Sequence, residues 1–124
     1  MSENLTIALI GPGAIGTTIA AALHEVDRVP LLCGRTAHSQ LTLRHDEGEI
    51  VVPGPVLTEP AAIRQPVDLL FVAVKTTQVT ESAGWLAALC DEKTVVCALQ
   101  NGVEQKAQLA PLVNGATVLP SVVW

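Results

Sequence analysis

The chain has 124 residues, 49% of them hydrophobic, and a net charge of −5, which suits one compact domain spanning residues 1–124. This composition excludes an intrinsically disordered chain, because so much apolar surface can be buried on folding. The seven basic residues form no cluster and only 2% of the residues are aromatic, so we expect no nucleic-acid partner.

The apolar stretches and the cysteine spacing indicate where the protein is located and whether it binds metal. The longest uninterrupted apolar stretches, residues 69–74 and 85–90, are far shorter than the roughly 20 residues that a transmembrane helix needs. Residues 1–4 lack the basic segment that opens a secretory signal, so we expect a cytoplasmic protein without membrane contact. Cys33, Cys90 and Cys97 are odd in number and show no Cys-x-x-Cys spacing, which predicts buried thiols and no metal site.

Strand-like and helix-like segments alternate in the first half of the chain. A predicted strand over residues 5–10 precedes a helix with one apolar face. That face consists of Ile15, Ile19, Leu23 and Val26. Small residues would let the helix lie close to a sheet, namely Ala14, Thr17, Ala20 and Ala21. A second strand fits residues 29–33, and residues 34–65 suggest a small hairpin or an irregular excursion, with a helical turn or two at most over residues 59–64.

The second half continues the alternation. Residues 69–74 predict a central strand with both faces covered by helices, because the segment is apolar throughout. A helix is expected over residues 78–89, a strand over 94–99, a helix near 103–109 and a last strand over 117–123. This order predicts an α/β fold with an open, mostly parallel, doubly wound sheet of the Rossmann type.

A glycine motif lies between the first predicted strand and the first helix, where dinucleotide-binding domains carry theirs. Gly11 suits a tight turn, Gly13 lets backbone approach a pyrophosphate, and Gly16 lets helix and strand touch. Because Pro12 has no N–H group, the three residues after it must supply the donors. The segment predicted to bind a dinucleotide is Gly11, Pro12, Gly13, Ala14, Ile15 and Gly16. A structural turn that binds nothing is the alternative.

Arg35 follows the second predicted strand, about where dinucleotide-binding domains select the ribose 2′ substituent. No carboxylate occurs within residues 28–45, so the end of this strand is expected to carry only positive charge. A guanidinium group matches the geometry of a phosphate, which favours NADP over NAD. A solvated loop arginine is the alternative.

Three further polar residues follow strands at the sheet edge where open α/β sheets bind ligands. Lys75 and Gln78 follow the central strand. They either contact ribose or phosphate oxygens of the ligand or are side chains exposed to solvent. Asn101 follows the next strand and precedes a glycine, so it either forms a turn or directs its amide towards the nicotinamide.

These motifs together resemble the amino-terminal half of the ketopantoate reductase family (2-dehydropantoate 2-reductase). The resemblance spans nearly the whole chain and rests on residues 11–16, Arg35, residues 72–78 and residues 99–104. It implies an NADP-dependent oxidoreductase that reduces 2-dehydropantoate, a small 2-keto acid, to pantoate with NADPH, in the pathway to pantothenate.

The same resemblance implies a role for each matching residue. Residues 11–16 would hold the pyrophosphate and Arg35 the 2′-phosphate. Lys75 and Gln78 would contact the adenosine side of NADPH. Asn101 would contact the nicotinamide ribose and the substrate.

The resemblance implies proteins roughly twice this length, whose proton-donating lysine and most substrate contacts lie in a helical second domain, and we expect these 124 residues not to include that domain. No catalytic residue is therefore assigned, and we expect the chain alone to bind NADPH but to reduce ketopantoate negligibly. The surface facing such a domain should be apolar, which predicts self-association. The alternatives are a non-catalytic dinucleotide-sensing or regulatory module and a reductase of a related 2-keto acid.

Overall fold

The computed structural model describes residues 5–11, 14–74, 80–99 and 109–120. Its elements, in chain order, are β1 (Ile7–Ile10), α1 (Ala14–Glu25), β2 (Leu31–Cys33), β3 (Gln40–His45), β4 (Gly48–Pro53), β5 (Val56–Leu57), β6 (Leu69–Val72), α2 (Ala83–Leu89), β7 (Val95–Ala98) and β8 (Thr117–Pro120). Short 3₁₀ turns lie at Pro60–Ala62, Thr80–Ser82 and Ala110–Leu112.

Six strands form one parallel sheet in the order β5-β2-β1-β6-β7-β8. The chain moves outward from β1 through β2 to β5, then returns to the other side of β1 and moves outward again through β6, β7 and β8. The strand order therefore reverses at β1. This arrangement confirms the predicted doubly wound α/β sheet of the Rossmann type.

The two faces of the sheet are buried to different extents. One face is packed against α2 and the chain leading into β8, and its buried residues include Ala8, Ile10, Leu70, Val72, Val96 and Val118. On the other face Phe71 and Cys97 are only half-buried and Leu119 is 47% exposed. Phe71 nevertheless packs against the buried cluster that contains Ala20 and Ala21 of α1, so the second face of the central strand is covered in part. Right-handed crossovers explain the asymmetry, because β6, β7 and β8 follow one another in one direction and place their connections on one face.

Small residues form the face of α1 that packs on the sheet. Ala20 and Ala21 are completely buried, as predicted, whereas Ile19 and Leu23 are only half-buried. Val26 lies beyond the end of α1 and is 65% exposed, so its predicted place on a buried helical face is wrong. A helix this close to a sheet has room beneath it only for small side chains, and the longer ones lie along its flanks.

Residues 34–65 contain the predicted hairpin, formed by β3 and β4 as a separate antiparallel pair. The hairpin packs on α1 through Leu41 and Val52, which share a buried cluster with Ala20 and Ala21. After it, β5 joins the edge of the main sheet beside β2, which the sequence did not indicate.

The described elements of the second half, β6, α2, β7 and β8, follow the predicted order and are shorter than predicted. Residues 75–79 and 100–108 lie outside the described part of the chain, so the starts of the two helices predicted there are not described. Leu109 is buried against the sheet just before the 3₁₀ turn Ala110–Leu112. Among the helices in the described residues, none combines the length and the apolar character that a membrane span requires.

Candidate functional site

The carboxyl edge of the sheet brings together the loops in which the candidate residues lie. The residue directly after each of four strands donates its backbone N–H to a carbonyl oxygen of the neighbouring strand, at 2.9 Å in each case. The four bonds run from Gly11 to Cys33, from Gly34 to Leu57, from Ala73 to Ile10 and from Leu99 to Val72. These bonds hold the four loop starts side by side. Because the strand order reverses at β1, the crevice that binds ligands in such sheets opens at Gly11.

Gly11 occupies a position that only glycine fills without strain. Its φ of +85° lies in the left-handed region. A Cβ atom added there would lie 2.8 Å from Val74 Cγ1 and 3.0 Å from the carbonyl oxygen of Ala73. The turn after β1 therefore lies close to Ala73 and Val74, which follow β6, and leaves no room for a side chain at position 11.

Gly16 lies in the first turns of α1 and touches the same turn. A Cβ atom added there would overlap the carbonyl oxygen of Gly11 and lie 3.5 Å from the Cβ of Ala73. The N-terminal end of α1 is thus held against the glycine turn, where its first N–H groups lack helical acceptors. A glycine in the left-handed region beside the start of a 12-residue helix fits an anionic phosphate group of a dinucleotide.

Arg35 lies at the same edge but is not alone there. Its Nη1 donates to Oε1 of Glu81 at 3.0 Å, and the two side chains are 73% and 57% exposed. The expectation that the end of the second strand carries only positive charge is therefore wrong. The reason is topological, because β2 and β6 flank β1, so the loop after β2 meets the segment that leads from β6 into α2.

Glu81 is the site residue that sequence reasoning missed. It is separated from Arg35 by 46 positions, so no local spacing could join the two. The proximity of the two loops could have been anticipated only from the strand order, because the ends of β2 and β6 lie on either side of β1. That order places the loops next to each other, but only the structure shows which side chains pair.

Other predicted site residues lie outside the described part of the chain, namely Pro12, Gly13, Lys75, Gln78 and Asn101. Ala14 and Ile15 form the start of α1. Val74 and Leu99, the described residues nearest to Lys75 and Asn101, are buried at the carboxyl edge. The structure thus brings Gly11, Gly16 and Arg35 to one edge, and the roles of the others stay predictions.

The cysteines offer no nucleophile to the site. Cys33 and Cys90 are buried, as predicted, and burial raises the pKa of each thiol to about 12, with the charge of Asp91 adding to the effect at Cys90. Cys97 is only half-buried, and burial raises its pKa too. Within residues 5–11, 14–74, 80–99 and 109–120, no group of three or more histidine, cysteine and acidic side chains is placed to hold a metal ion.

Comparison with protein families gives a match over residues 7–124 to the family model "Ketopantoate reductase PanE/ApbA". The chain is also 53% identical, over 119 residues, to the 2-dehydropantoate 2-reductase of Mycobacterium tuberculosis. That alignment covers 95% of this chain but only 40% of the relative.

Comparison with solved structures agrees. The structure superposes on a PanE/ApbA family ketopantoate reductase from Ralstonia eutropha with a TM-score of 0.82 and 28% identity, covering 97% of this chain and 42% of that one. A dimeric ketopantoate reductase from Staphylococcus aureus gives a TM-score of 0.70 and 30% identity, covering 97% of this chain and 39% of that one. The chain therefore spans about two fifths of the length of the relatives that it matches.

Proposed function

Because this chain belongs to the ketopantoate reductase PanE/ApbA family, we propose that it forms the NADPH-binding part of an enzyme that reduces 2-dehydropantoate to pantoate, a step towards pantothenate. The observation that carries the proposal is the glycine turn at the point where the strand order reverses. There Gly11 has a φ of +85° and Gly16 presses α1 against it, as the phosphate site of a dinucleotide requires.

Each site residue has a proposed role towards NADPH. The turn over residues 11–16 holds the pyrophosphate, where the start of α1 offers N–H groups and the positive end of its dipole. Arg35 binds the 2′-phosphate through its guanidinium group. Lys75 and Gln78 contact the adenosine side. Asn101 contacts the nicotinamide ribose and the keto acid.

The proposed reaction divides between this chain and the rest of the enzyme. Bound NADPH supplies a hydride to the carbonyl carbon of the keto acid, and a proton added to the carbonyl oxygen completes the alcohol. Within this chain, residues 11–16 fix the phosphates and Arg35 anchors the adenosine end, so that the nicotinamide end is placed near Asn101. We assign the proton donor to no residue of this chain.

Nucleotide titrations test the proposal. We expect saturable binding of NADPH, followed by nicotinamide fluorescence, and weaker binding of NADH. Arg35→Ala should weaken NADPH binding about 10- to 150-fold, the value of a charge-assisted hydrogen bond, and leave NADH binding unchanged. Arg44→Ala is the matched control, because Arg44 is another exposed arginine in an ion pair, on the separate β3–β4 hairpin. Failure of both nucleotides to bind would refute the proposal.

We also infer that the chain self-associates. The face of β6, β7 and β8 opposite to α2 presents half-buried Phe71 and Cys97 beside exposed Leu119. Apolar surface of this kind favours association. Light scattering should show a mass that rises with protein concentration, and a clean monomer at high concentration would contradict the inference.

A further inference from the structure

We propose that Glu81 is a specificity-determining residue of the nucleotide site, because its carboxylate competes with the 2′-phosphate of NADPH for Arg35. The inference rests on the proposed function. Its structural basis is the hydrogen bond of 3.0 Å from Arg35 Nη1 to Glu81 Oε1. The competition lowers the affinity for NADPH and leaves that for NADH unchanged, so the chain prefers NADPH over NADH less strongly than it otherwise would.

Both residues of the pair are attached to well-anchored backbone. Arg35 follows Gly34, which is buried and donates its N–H to the carbonyl of Leu57 at 2.9 Å. Glu81 lies in the 3₁₀ turn that leads into α2, directly before buried Ser82. The side chains themselves extend into solvent at the carboxyl edge of the sheet. The carboxylate is therefore held within reach of the guanidinium whenever the fold is formed.

Charge and geometry make the carboxylate a competitor rather than a helper. A phosphate monoester carries about −1.5 to −2 charges near neutral pH and binds a guanidinium best through two parallel hydrogen bonds. Glu81 already occupies one nitrogen of the guanidinium and adds a negative charge beside it. A 2′-phosphate must displace that carboxylate or bind next to a like charge. NADH has a hydroxyl group at this position and does not compete for the arginine.

The expected effect is small, because the pair is exposed. An exposed ion pair is worth little after solvent screening, so removing the competitor should tighten NADPH binding about 2- to 5-fold. NADH binding should not change. The ratio of the two dissociation constants should therefore rise by the same factor.

The experiment compares Glu81→Gln with a matched variant in titrations with NADPH, NADH and adenosine 2′,5′-bisphosphate, which carries the 2′-phosphate without the nicotinamide. Glu49→Gln is the control, because Glu49 is 51% exposed and pairs with Arg44 at 3.0 Å on the β3–β4 hairpin. Both variants change the net charge equally. Glu81→Gln should tighten NADPH and the bisphosphate and leave NADH unchanged, whereas Glu49→Gln should alter none of them.

A double variant separates competition for Arg35 from a general effect of charge. In an Arg35→Ala background, Glu81→Gln should no longer tighten NADPH binding, because the contested group is gone. The side-chain Nε–H resonance of Arg35 gives a second measurement. It should shift on Glu81→Gln in the free chain, and the spectra of both forms should converge when the bisphosphate is saturating.

Several outcomes would overturn the inference. If the unmodified chain binds NADPH but Glu81→Gln leaves that binding unchanged or weakens it, Glu81 does not compete, and the proposed function stands without it. A gain that persists in the Arg35→Ala background would also refute competition. If the unmodified chain binds neither nucleotide, the proposed function fails and this inference fails with it.

Discussion

Replacing Gly16 with alanine tests the close approach of α1 to the glycine turn. Gly16 lies inside α1, and in an ordinary helix this substitution stabilises the fold by about 0.5–1 kcal/mol, because alanine has the higher helix propensity. Here the new Cβ would overlap the carbonyl oxygen of Gly11 and lie 3.2 Å from its carbonyl carbon. The atoms in its way are backbone, so no side-chain rotation can relieve the overlap.

The magnitude follows from these opposing effects. Overpacking costs about 1–3 kcal/mol, and an overlap with rigid backbone belongs to the upper part of that range, about 2–3 kcal/mol. The helix-propensity gain of about 0.5–1 kcal/mol offsets at most half of this cost, so we expect the free energy of unfolding to fall by about 1–2.5 kcal/mol. For a chain of this length the Tm should fall by about 3–10 °C. NADPH binding should weaken as well, because α1 must move away from the turn.

Urea and thermal unfolding of Gly16→Ala, followed by circular dichroism, measure the effect. Gly84→Ala is the matched control, because Gly84 lies in α2 and its added Cβ would meet only the ring of Pro60, at 3.3 Å. The control should unfold at or slightly above the Tm of the unmodified chain. If Gly16→Ala were as stable as the unmodified chain or more stable, the reasoning about the close approach would be wrong.

Three further predictions concern the core and the thiols. Leu86→Ala should lower the free energy of unfolding by about 2–5 kcal/mol in urea, because Leu86 is completely buried between α2 and the sheet. Thr94→Val should lower it by about 1–3 kcal/mol, because the buried hydroxyl donates to the carbonyl of Val67 at 2.6 Å; unchanged stability would contradict this. Cys33 and Cys90 ionise near pH 9 when unfolded but only near pH 12 when folded, so stability present below pH 9 should be lost between pH 9 and 12. The loss should approach about 1.4 kcal/mol per pH unit for each thiol, and Cys33→Ala should show a shallower dependence in urea titrations at several pH values.

Much of the fold was predictable because its signals are local. The apolar runs that became β1, β6 and β7 are short and bounded by polar residues or glycine, so their order alone indicated a doubly wound sheet. Gly11 was predictable for the same reason, since a left-handed turn selects glycine whatever the rest of the chain does. The apolar face of α1 was predicted less well, because helical spacing does not show how near the sheet lies.

The sequence by itself determined the order of the elements, the place of the glycine turn and the resemblance to a reductase family. Those properties depend on residue types at neighbouring positions and on the order of the segments along the chain, both of which the sequence contains. Only the tertiary structure decided that Glu81 pairs with Arg35 and that one face of β6, β7 and β8 stays partly exposed. Both features depend on which strands are neighbours in the sheet and on which face of the sheet the connections cross. Contacts between residues that are distant in the chain leave no local sequence pattern from which they could be predicted.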